Sequence, residues 1–80
     1  MQPGTNERTD ARHDAATSAA QARADDARER ALAAREAAER ATTEYARRAH
    51  HRVADLHREL ALSHEDFART LRRGGAREGA

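Results

Sequence analysis

The sequence predicts an all-α protein, and three observations carry that expectation. Between Thr5 and Arg73 lie 69 residues without a glycine or proline, while all four glycines and the single proline stand just outside. The stretch is made chiefly of Ala, Arg, Glu and Leu, which lose least on entering a helix. Acidic residues precede basic ones by four positions at Asp26/Arg30, Glu36/Arg40, Glu44/Arg48 and Glu65/Arg69. That order supports a helix by a few tenths of a kcal/mol per pair. The expected architecture is one long helix with a coiled-coil-like heptad seam, or a two-helix hairpin bending near residues 42–51, with a flexible tail at each end.

Taken in order, residues 1–7 are expected to be a flexible N-terminal tail, punctuated by Pro3-Gly4. Asn6, Thr9 and Asp10 are N-cap candidates, and Glu7, Asp10 and Asp14 suit the positive end of the helix dipole. The helical region is expected over 8–73, divided into an alanine-lined part (8–44) and a Leu/Phe-bearing part (45–73). Arg69, Arg72 and Arg73 then precede Gly74-Gly75, a C-terminal signal. Residues 74–80 are expected to be a second flexible tail. Ser18-to-Gln21 and Ser63-to-Asp66 approximate capping boxes, but with no Gly, Pro or Asn nearby the helix is expected to continue through both.

Two seams run along this helix. Ala20, Ala24, Ala27, Ala31, Ala34, Ala38, Ala41 and Tyr45 alternate steps of four and three, the heptad spacing of a coiled coil. Ala49, Val53, Leu56, Leu60, Ser63, Phe67 and Thr70 do the same one register over. The slip between them, at Tyr45 to Ala49, locally unwinds a supercoil. An 11-residue register through Ala34, Ala38, Tyr45, Ala49, Leu56, Leu60, Phe67 and Leu71 also fits and predicts a straighter bundle.

Composition narrows the function. The 38% hydrophobic content is mostly alanine, 21 residues against nine larger apolar ones. Too few large side chains exist for a compact globular core, which points to a partner helix. Net charge is +1, with seven Arg against nine acids over 5–44 and eight Arg against five acids over 45–80. This mild polarity favours antiparallel pairing of the two halves. All fifteen basic residues are Arg, a pattern that suits anion recognition and also follows from GC-rich codons. There is no cysteine, no long apolar run and no signal-peptide pattern, so a cytoplasmic protein without a membrane segment is expected.

The candidate interface is Tyr45, Val53, Leu56, Leu60, Phe67 and Leu71, with Val53, Leu56, Leu60 and Phe67 at its centre. His50, His57 and His64 recur every seven residues just after seam positions and form a candidate pH-sensing stripe. Neighbours in that stripe stand about 10.5 Å apart along a helix, too far for one ion to bridge. His51 and Asp55, four apart, make only two ligands, so no metal site is assigned. Arg47, Arg48, Arg52, Arg72 and Arg73 are the candidate nucleic-acid contacts, although a helix spreads Arg47, Arg48 and Arg52 around its circumference and few aromatics are present for stacking. No phosphate loop, nucleophile elbow or paired carboxylates appear, so no catalytic residue and no cofactor is expected.

Ala49 to His64, A-H-H-R-V-A-D-L-H-R-E-L-A-L-S-H, resembles small Ala/Arg/His-rich helical proteins of high-GC bacteria that carry repeated A-H-x-x-A-A-x-L-H units. The resemblance covers these 16 of the 80 residues and implies a helical fold with no established activity. Leu62 to Ala68 with Leu71 is similar to the L-S-x-E-x-[LF]-A-x-x-L segment that leads phage-repressor-like helix-turn-helix domains into their turn. Such domains need a turn and a recognition helix next, whereas here Arg72-Arg73-Gly74-Gly75 follows. The resulting expectation is a non-enzymatic protein that self-associates or binds another helical protein through a coiled-coil seam. A small nucleic-acid-binding accessory is the alternative.

Overall fold

A computed structural model describes the backbone of residues 3–79 and the side chains of residues 11–74. Two helices, α1 (Pro3–Arg40) and α2 (Glu44–Gly79), pack side by side as an antiparallel hairpin. Of the two architectures the sequence allows, the hairpin is the one formed. The molecule is a rod of 66 × 17 × 11 Å, with a radius of gyration of 18.3 Å. A compact 80-residue domain would have about 12 Å.

The break falls at residues 41–43, at the near edge of the expected window and ahead of the slip at Tyr45 to Ala49. The lack of Gly, Pro and Asn argues for an unbroken rod, but the chain turns without them. No described residue takes a positive φ, so no glycine is required. α1 closes with a tight bond from the Ala41 N–H to the Ala38 carbonyl, 3.2 Å. Thr43 then caps α2: its hydroxyl accepts from the Ala46 N–H at 3.1 Å, three residues on, as an N-cap does. The Thr43 carbonyl accepts the first helical bond, from the Arg47 N–H at 3.0 Å. Arg47 also reaches back, donating to the Ala41 carbonyl at 3.4 Å and to Glu44 at 2.9 Å. One guanidinium thereby ties the end of α1 to the start of α2, and Glu44 places its charge in the first turn of α2.

Beyond the turn both helices are uninterrupted: α1 passes through Ser18 and α2 through Ser63. Their backbones also continue past the sequence bounds, α1 from Pro3 and α2 past Gly74-Gly75 to Gly79. A proline at the first helical position loses no bond. The flexibility assigned to tails 1–7 and 74–80 concerns segments whose side chains, Gly74 excepted, lie outside the described residues, as do those of the N-cap candidates Asn6, Thr9 and Asp10.

Every buried side chain among the described residues is an alanine. Ala20, Ala24, Ala27, Ala31, Ala34 and Ala38 form the α1 side of the seam, and Ala54, Ala61 and Ala68 the α2 side. The first sequence seam is thus the hairpin seam over Ala20 to Ala38. Ala41 is only half-buried and Tyr45 drops out, being 80% exposed beyond the turn. Alanine lets two helices approach closely, as small residues do wherever backbones must meet.

Side-chain bonds cross the pair. Arg28 forms an ion pair with Glu65, Arg72 donates to the Gln21 side chain at 2.8 Å, and His13 Nε2–H donates to the Leu71 carbonyl. The expected Asp26–Arg30 and Glu44–Arg48 pairs form, at 3.1 and 3.0 Å. Glu65 serves Arg28 instead of Arg69, which pairs with Asp66 at 3.1 Å. Glu36–Arg40 is not among the ion pairs of the described residues.

Candidate functional site

The α2 seam lies one residue later than the apolar heptad read from the sequence. Half-buried His50, His57, His64 and Leu71 alternate with buried Ala54, Ala61 and Ala68 along the line that faces α1. One residue is about 100° of helix rotation. The heptad of Val53, Leu56, Leu60 and Phe67 is therefore turned roughly a quarter circle away from α1. Those four side chains stand 44%, 55%, 42% and 53% exposed. α1 covers alanines, and the large apolar groups are left outside it.

Among the described residues this stripe holds most of the exposed large apolar side chains. Tyr45 extends it at the turn end, and Leu71 borders it at the other, half-buried toward α1. Its inner border is the histidine stripe. An open groove of about 160 Å³ runs there between the helices, lined by Leu60, His57 and His64 from α2 and by Arg23, Asp26 and Arg30 from α1. The histidines thus sit inside the hairpin seam, where the sequence alone sets them only beside an apolar face. The outer border carries Arg52, Glu59 and Asp66, all exposed.

The opposite flank of the hairpin differs in character. Its groove, about 290 Å³, is lined by Leu32 and Leu62 among Arg28, Arg35, Arg58 and Glu65. Two leucines among three arginines and a glutamate make a mixed face, not a continuous apolar one.

The arginines singled out from the sequence do not form one face. Arg47 is occupied at the turn, Arg48 pairs with Glu44 at 3.0 Å, and Arg72 bonds Gln21 across the hairpin. Arg52 and Arg73 are exposed, on the outer line of α2 that also carries Glu59 and Asp66. Among the described residues no group of three or more His, Cys, Asp or Glu side chains is placed to hold a metal ion. No described helix is long and apolar enough to cross a membrane.

Sequence reasoning missed the role of Thr43 and the burial of Ala54, Ala61 and Ala68. The steps of seven from 54 to 61 to 68 were a signal for the latter, masked by the larger side chains one position earlier. Comparison of the chain with protein-family models, curated proteins and solved structures returns no match.

Proposed function

We propose that this is a non-enzymatic association protein of the cytoplasm, a helical hairpin that self-associates through the apolar stripe of α2. One observation carries the reading: Val53, Leu56, Leu60 and Phe67 share a face that the hairpin leaves exposed, while its own seam is built of alanine. Burying a Val, Leu or Phe fully is worth about 1.5–3 kcal/mol, against roughly 0.8 for a methyl group. Much of the larger stabilisation available to this sequence is therefore still unused in the single chain. A two-layer helical domain normally closes by covering such a stripe with another helix.

Sedimentation equilibrium of the wild type and of Leu56→Asp and Leu60→Asp tests this. The wild type should show a mass above one chain at micromolar concentration, and each aspartate should return it toward the monomer. The hairpin seam does not use these leucines, so helicity should fall only as far as association supports it. A wild type that stays monomeric at high micromolar concentration would end the self-association reading.

A further inference from the structure

We infer that the partner on this stripe is a second copy of the chain docked antiparallel, α2 against α2 about a two-fold axis, giving a four-helix bundle. The inference rests on the self-association reading and adds orientation and register to it. Three features of the face argue for this arrangement.

The first is the angle. The stripe lies about a quarter turn from the alanine seam, near the angle between the two neighbours that each helix meets in a four-helix bundle. α2 thus presents one narrow alanine line to α1 and one Leu/Phe line to an antiparallel helix placed about a quarter turn further round its axis.

The second is size complementarity along the stripe. In an antiparallel pair each layer joins two different positions. With Leu56 set against the partner's Leu60, Phe67 meets the partner's Ala49 and Val53 meets the partner's Ser63. Large faces small at each outer layer, which is how facing layers interdigitate. A parallel pair in register would set Phe67 on the partner's Phe67 and Ser63 on the partner's Ser63, crowding one layer and leaving another underfilled. Sliding the antiparallel pair by one heptad in one direction puts Phe67 on the partner's Leu56. Sliding it in the other direction runs Phe67 off the start of the partner's α2.

The third is charge on the outer border. The same register brings Arg52 beside the partner's Asp66, and by symmetry Asp66 beside the partner's Arg52. Glu59 meets the partner's Glu59 near the axis, one like pair against two opposite ones. The heptad slide toward Leu56 would instead join Arg52 to the partner's Arg73 and Glu59 to the partner's Asp66, all repulsive. Such flanking charges select orientation and register in coiled coils.

The test is charge exchange and distance measurement in the full-length chain. Arg52→Asp and Asp66→Arg should each weaken dimerisation on the order of ten-fold, and the double exchange should restore it to within a few-fold. Glu59→Gln should tighten it, because it removes the like pair at the axis. All three positions are exposed on the hairpin, so unchanged helicity in the dilute monomer confirms that the fold is intact. The chain has no cysteine, so Thr70→Cys takes a single spin label. The register sets Thr70 against the partner's Ala46, and two labels then stand about 24 positions apart, roughly 36 Å along the axis. A parallel dimer would bring them under about 20 Å. A dimer with close Thr70 labels, or one that the double exchange fails to restore, overturns the antiparallel pairing and leaves self-association standing. A wild type that stays monomeric overturns both, and a dimer untouched by Leu56→Asp removes the stripe itself.

Discussion

Leu60 and Ala61 are adjacent in sequence and opposite in burial: Ala61 keeps 3% of its surface exposed, whereas Leu60 keeps 42%. The smaller side chain is the one between the helices. Substituting Ala61→Leu places three extra carbons in a seam walled by Ala31 and its neighbours, where no large side chain is buried. Overpacking of this kind costs about 1–3 kcal/mol. Urea denaturation at low micromolar concentration should show that loss for Ala61→Leu. Leu60→Ala, measured alike, should change hairpin stability by less. The reverse ranking would mean that α2 faces α1 with its Leu/Phe stripe.

The hairpin turn depends on Thr43. Its hydroxyl satisfies the Ala46 N–H at 3.1 Å, one of the four donors that open α2 without a partner in the helix. Thr43→Ala should cost about 1 kcal/mol. For a chain of this size that is a fall of roughly 4–8 °C in melting temperature. Thr43→Ser keeps the oxygen and should recover most of the loss. A melting temperature indifferent to Thr43→Ala would show that the turn is held by Arg47 alone.

These two sites mark how far the sequence could be read. Helix and the alanine seam of α1 were legible because composition and period agree over Ala20 to Ala38, and nothing competes with them on that helix. The seam of α2 was hidden. Val53, Leu56, Leu60 and Phe67 carry the stronger hydrophobic signal, and the heptad they mark masks the alanine line one position later. The hairpin chooses by size instead, because six alanines on α1 leave space for alanine opposite and not for leucine. The turn was hidden for another reason. Glycine and proline announce a turn through backbone geometry, whereas Thr43 makes one through a side-chain bond at ordinary φ, a signal spread over two common residue types.

The Arg28–Glu65 ion pair links the two helices, and Arg28 also reaches Asp25 on its own helix at 3.0 Å. The Arg28 side chain is 49% exposed and that of Glu65 22%. Solvent screens a pair so placed. A double-mutant cycle with Arg28→Ala and Glu65→Ala should return a coupling of about 0.2–1 kcal/mol, shrinking further as salt is raised toward 1 M. A coupling well above that range would mean the pair is dry, contrary to the exposure of both side chains.

Gly74 supplies a test at the far end of the rod. The sequence casts it as a helix terminator, which requires the left-handed backbone that glycine alone adopts at little cost. In the structure α2 continues through it and no described glycine has a positive φ. A methyl group added there would meet His13 Cε1 of α1 at 3.8 Å, an ordinary van der Waals contact. Gly74→Ala should therefore stabilise the hairpin by about 0.4–1 kcal/mol, by restricting the unfolded chain and favouring the helix. The added methyl also packs beside the bond from His13 to the Leu71 carbonyl, so hydrogen exchange in the last turns of α2 should slow. If Gly74 terminated the helix in the left-handed region, the same substitution would destabilise the protein. The sign of one measured change in denaturation midpoint thus decides between the two.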